Sequence, residues 1–144
     1  MSCKLVGAGV DWPDARVHFM KAILWVGAGG FVGSVLRYLL SSWLFRLLDK
    51  PWFPVGTLAV NVIGCLAIGL FGGIAEQRRL FDPQLRLFVV VGILGGFTTF
   101  SAFAYETTAL AQDGRLVGAL LNVALQIFLG LFAVWLGGLL ARVF

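Results

Sequence analysis

Charge is scarce in this sequence: acidic and basic residues make up 12% of its 144 positions, where a soluble domain carries roughly 25%. With 60% hydrophobic residues and a mean hydropathy of +0.95, the chain has too little polar surface to coat a globule in water. Histidine occurs once, as His18, and cysteine twice, as Cys3 and Cys65. Two cysteines, one of them inside an apolar run, make no disulfide framework, and a single histidine supplies no Cys/His metal cluster. No pair of carboxylates shares a helical face, so carboxylate acid/base catalysis lacks its parts, as does a Ser-His-Asp nucleophile. An enzyme is not expected. The net charge of +4 comes from basic residues placed singly or in pairs at the ends of apolar blocks, which excludes a nucleic-acid patch.

What is abundant is apolar length. Four blocks, at about 22–45, 55–75, 87–110 and 116–141, each approach the ~20 residues needed to cross a ~30 Å hydrocarbon layer. Short polar connectors separate them, too small to build a core outside the membrane. The pattern predicts an all-α integral membrane protein with one four-helix domain over residues 20–144. Residues 1–19 read as a polar leader, either a disordered tail or the product of a mis-called start ahead of Met20 and Lys21. A cleaved signal peptide fits poorly, because the run is too long and no A-x-A site follows it. Lys21, Arg78, Arg79, Arg86 and Arg142 flank one side and Arg46, Lys50 and Arg115 the other, with Arg37 leaning that way. Such a weak bias permits insertion in both orientations.

Several polar residues stand inside the blocks. Thr57 and Asn61 are four apart and share a helix face, as do Asn122 and Gln126 in the fourth block. Interhelical hydrogen bonds explain each pair; a polar track through the bundle explains both together. Arg37 and Glu106 are the only charges within the blocks, and ionisable residues there are functional candidates. Arg37 either snorkels to the interface, attracts anions at a vestibule or caps carbonyls, and Glu106 sits late enough in its block for a vestibule. Glycines four apart, Gly29 and Gly33, Gly69 and Gly73, Gly92 and Gly96, carry the small-xxx-small spacing of close helix contacts. The run Gly27–Gly33 imitates a dinucleotide fingerprint, but no strand precedes it and its spacing is off by one.

The third block holds Gly92-Ile93-Leu94-Gly95-Gly96-Phe97-Thr98-Thr99-Phe100-Ser101-Ala102-Phe103. Adjacent glycines, two β-branched threonines and a serine are poor helix formers, so an unwound turn is expected there, against the alternative of a continuous helix whose hydroxyls bond back one turn. Broken backbone at membrane depth survives only where protein buries it or a water-filled site receives it. Freed carbonyls are hard oxygen ligands for a small cation. Phe100 and Phe103, three apart, are either packing residues or a pair whose positive ring edges meet a small anion.

These strings, Gly56-Thr57-Leu58-x-Val60-Asn61-x-x-Gly64, the third-block run, and Gly29-x-x-x-Gly33-x-x-x-Arg37-Tyr38, resemble the CrcB/Fluc fluoride channel family over about residues 20–144. The resemblance implies an antiparallel, dual-topology homodimer of four-helix subunits with a broken third helix. It implies passive, fluoride-selective export from the cytoplasm across the inner (plasma) membrane, which relieves fluoride toxicity. It implies a structural Na+ at the dimer centre, held by the backbone carbonyls of Gly95 and Thr98. Its phenylalanine pair corresponds to Phe100 and Phe103, its pore-facing asparagine to Asn61, and its polar-track hydroxyls to Thr57, Thr99 and Ser101. In the fourth block Asn122 and Gln126 stand where the family carries Tyr and Ser hydroxyls, and Ala102 stands where Thr is common.

Two rival functions remain. A proton-coupled exporter of the small multidrug type also uses four short helices, but it needs a central membrane carboxylate, and Glu106 is the only candidate. A non-transporting scaffold would use the glycine pairs and leave the polar residues idle.

Overall fold

The computed structural model describes residues 12–49, 51–78 and 82–143. Cys3, Lys50 and Arg79 fall outside them. Six α-helices and one π-helical stretch occur among the described residues, with no strand. They are α1 (Trp12–Leu47), α2 (Val55–Arg78), α3 (Pro83–Arg86), the π-helix Leu87–Leu94, α4 (Gly95–Phe97), α5 (Phe100–Gln112) and α6 (Leu116–Ala141). Helices long and apolar enough to span a membrane occupy Phe19–Leu47, Val55–Ile74, Pro83–Gln112 and Leu116–Ala141, in agreement with the four blocks. The segment from α3 to α5 is thus a single crossing, the third, assembled from pieces.

α1 begins at Trp12, inside the segment expected as an irregular leader. Pro13 suits a first turn, where its missing N–H would have had no intrahelical partner. The described part of the leader therefore continues the first helix; residues 1–11 lie outside the described residues.

Packing is tightest between α1 and the third crossing and between α2 and α6, so partners alternate along the chain. Glycine makes both contacts possible. A Cβ on Gly29 would collide with the carbonyl of Phe88, and one on Gly33 with the carbonyl of Ile93. On the other pair, Gly69 meets the Val134 carbonyl and Gly137 the Leu66 carbonyl equally closely. The small-xxx-small spacing thus yields backbone-to-backbone approach, and the lost side-chain area is replaced by dispersion contacts between main chains.

The third crossing is broken where the sequence placed the break. Thr98 (φ −77°, ψ 154°) and Thr99 (φ −149°, ψ 112°) are both extended. β-branched side chains favour that region, and Thr99 then caps the next helix, its Oγ1 accepting the Ala102 N–H at 3.2 Å. The Thr98 N–H still returns to the Leu94 carbonyl at 3.0 Å, so the helix ends abruptly after Thr98.

Candidate functional site

Asn61 on α2 faces the break and replaces the hydrogen bonds it costs. Its Oδ1 accepts the Thr99 N–H at 2.8 Å, and its Nδ2 donates to the Thr99 carbonyl at 3.1 Å. Nδ2 also donates to Gln126 Oε1 on α6, again at 3.1 Å. The break is therefore buried against protein, as backbone at membrane depth requires.

This arrangement has a consequence for two carbonyls. In a continuous helix the Gly95 carbonyl would receive the Thr99 N–H and the Thr98 carbonyl the Ala102 N–H. Those donors go instead to Asn61 Oδ1 and Thr99 Oγ1. Gly95 and Thr98, the residues expected to present oxygen to a cation, have thus lost their usual helical partners, and Gly95 lies on the exposed surface of the chain.

A groove of about 370 Å³ runs past the break, lined by Asn61, Thr98, Thr99, Phe100, Phe103 and Gln126 among others. The rings of Phe100 and Phe103 lie 5.5 Å apart, tilted at 59° to each other. Phe100 is 79% exposed and forms an open wall. The Thr99 and Ser101 hydroxyls are 3.3 Å apart. One bond between them uses one of two hydroxyl hydrogens and leaves the other to offer.

The polar residues continue away from the break. Asn122, fully buried, donates from Nδ2 to Thr107 Oγ1 at 2.9 Å, and Thr107 donates to the Phe103 carbonyl at 2.8 Å. Buried Thr57 donates to Glu106 Oε1 at 2.6 Å, a short contact. Thr57 and Glu106 line a second cavity of about 330 Å³, whose rim carries Trp52, Tyr105 and Arg115. The Arg115 guanidinium sits 5.8 Å from the centre of the Trp52 ring, a cation–π contact. Glu106 Oε2, Asn122 Oδ1 and Gln126 Nε2 are buried without a protein partner. Glu106 lines the second cavity and Gln126 the groove, so each of these spaces has beside it a polar side-chain atom that the chain leaves unpaired.

Of the expected site residues, Asn61, Thr99, Phe100, Phe103 and Gln126 meet at one groove, with Ser101 bonded to Thr99. Thr57 and Glu106 meet at the other cavity. Arg37 is half-buried on α1 and lines neither. Thr107 was not anticipated: it lies one turn beyond Phe103, and only the third crossing's approach to Asn122 reveals it. Cys65, one turn beyond Asn61 on α2, also lines the groove, which its apolar neighbours in the sequence conceal.

A family model described as CrcB-like protein, Camphor Resistance (CrcB), matches residues 24–138. The fluoride-specific ion channel FluC of Flavobacterium psychrophilum is 42% identical over 123 residues, which cover 85% of this chain and 98% of that protein. FluC of Geobacter sulfurreducens is 46% identical over 123 residues, covering 85% and 98%. FluC of Elusimicrobium minutum is 48% identical over 118 residues, covering 82% of this chain and 91% of that protein.

Proposed function

The chain belongs to the CrcB family, and on that footing we propose that it is a fluoride-selective ion channel through which fluoride leaves the cytoplasm passively, reducing fluoride toxicity. The observation that carries this reading is the broken third crossing held open beside two phenyl rings, with hydrogen-bond donors on the same groove.

Fluoride is small and strongly hydrated, so a path across lipid must replace its water with donors and still let it go. Phe100 and Phe103 supply weakly positive ring edges, Thr57, Thr99, Ser101, Asn122 and Gln126 supply the polar groups that replace hydration, and Asn61 holds the break beside them. Glu106 is assigned to a vestibule at the second cavity, whereas Arg37, expected there too, lines neither cavity. Glu106 is the single acidic residue in the four spans and lies at the outer cavity rather than at the break, which disfavours proton-coupled export. The reading requires no enzymatic step.

The functional unit is proposed to be an antiparallel homodimer of dual topology in the inner (plasma) membrane. The near-balanced flanking charges and the open groove wall at Phe100, which a second copy would close, support it. Na+ is proposed as a structural ion at the dimer centre. The carbonyls of Gly95 and Thr98 suit it, being hard oxygens freed from their helical donors. Bound there, the ion would offset converging carbonyl dipoles and tie two breaks together.

Proteoliposomes loaded with fluoride test the reading. Efflux is expected at equal pH on both sides, with negligible chloride release. Efflux that starts only when a pH gradient is imposed would favour the exporter.

A further inference from the structure

The amide of Asn61 is spent inside the chain. A carboxamide nitrogen carries two hydrogens, and both Asn61 hydrogens have acceptors: the Thr99 carbonyl and Gln126 Oε1, each at 3.1 Å. Its orientation follows from the backbone and not from a choice between nitrogen and oxygen. A main-chain N–H can only donate and a carbonyl only accept, so Oδ1 must face the Thr99 nitrogen and Nδ2 the Thr99 oxygen.

The same logic passes outward. The second hydrogen of Asn61 needs an acceptor, so Gln126 turns Oε1 toward it and Nε2 away. Gln126 Nε2 is buried and has no partner in the chain. Gln126 lines the groove that Phe100 and Phe103 also line. A donor of two hydrogens, lacking an acceptor in a lipid-embedded groove, suits a ligand that only accepts. A bare monoatomic anion is such a ligand; a cation is not.

We propose that Gln126 Nε2 is the amide donor that meets the permeating anion, and that Asn61 is a positioning residue whose clamp on Thr99 fixes which end of the Gln126 amide faces the groove. This rests on the channel reading above. Asn61 then determines the sign of the field in the groove without touching the ion. If its grip were lost, the Gln126 amide would be free to rotate and present an oxygen that repels anions.

Fluoride efflux from proteoliposomes of wild-type, Gln126→Met, Gln126→Glu, Asn61→Ser and Asn61→Ser/Gln126→Met protein tests this. Methionine matches glutamine in length and donates nothing. Glutamate keeps the acceptor for Asn61 and replaces the donor with an oxygen. Each is expected to cut efflux about tenfold or more, the scale of one charge-assisted hydrogen bond, while eluting in detergent as wild type does. Asn61→Ser is too short to reach Gln126 and so releases its amide. It is expected to slow efflux on its own and to add no further loss to Gln126→Met, because its effect runs through that amide. Efflux by Gln126→Met within about twofold of wild type would overturn the assignment, as would an Asn61→Ser loss that multiplies undiminished onto Gln126→Met. Wild-type protein that releases no fluoride would overturn the channel reading itself and this assignment with it.

Discussion

Asn61 holds both main-chain polar groups of Thr99, accepting from its N–H at 2.8 Å and donating to its carbonyl at 3.1 Å, in the way a neighbouring strand would. One side chain thereby substitutes for the helical bonds that the extended Thr98-Thr99 pair gives up.

Asn61→Leu removes that substitute and leaves an N–H and a carbonyl unpaired at membrane depth. With each unpaired buried group costing about 1–3 kcal/mol, the variant should lose about 2 kcal/mol or more. The expected result is a clearly lower unfolding temperature in detergent, together with lost efflux. An unchanged unfolding temperature would show that the break is held by something else.

Phe100→Ile and Phe103→Ile separate conduction from folding. Phe100 is 79% exposed in the chain, so its ring does little for the stability of the subunit. Isoleucine keeps apolar bulk and lacks the positive ring edge. Fluoride efflux should fall sharply in both variants while each still elutes as the wild-type species. Full efflux from both would remove the rings from the permeation path.

Glycine substitutions should divide by position. Gly33→Ala would drive a methyl group into the Ile93 carbonyl, whereas Gly27→Ala and Gly72→Ala meet nothing within 4 Å. Overpacking of this kind costs about 1–3 kcal/mol. The expected outcome is poor recovery of monodisperse Gly33→Ala protein and normal recovery of the other two, read by size-exclusion chromatography. Equal recovery of all three would contradict the close approach of α1 to the third crossing.

Thr57→Val deletes the donor to Glu106 while preserving shape, and Thr57→Ser retains it. The lost contact is a short, part-buried hydrogen bond, and its loss leaves the Glu106 oxygen without a donor, at a cost of about 1–3 kcal/mol. Efflux should drop in the valine variant and stay close to wild type in the serine variant. Similar rates in both would assign the Thr57 hydroxyl no part in the path.

Much of this was legible in the sequence, because the strongest signals are local. Four apolar blocks set the crossings, and Gly95-Gly96 followed by Thr98-Thr99 marked the break through propensity alone. The spacing of Gly29 and Gly33 announced a close contact, although not with which helix. What stayed hidden depends on neighbours distant in sequence. The face shared by Thr57 and Asn61 was visible, but not that Thr99 would consume the Asn61 amide, since that needs the partner's backbone already bent. The π-helix Leu87–Leu94 left no trace in Leu87-Phe88-Val89-Val90-Val91-Gly92-Ile93-Leu94, an apolar run with no polar period to distort. The early start of α1 at Trp12 was masked by a polar composition that resembles a loop.

The alternation of partners along the chain bears on how the protein is made. The tight seams join first to third and second to fourth, so sequence neighbours touch less closely than alternate crossings do. A nascent chain leaves the ribosome with its first seam facing acyl tails until the third crossing arrives, and its second until translation is almost done. Biogenesis therefore closes late, and a chain truncated after α2 would keep both seams bare, with nothing to zip against.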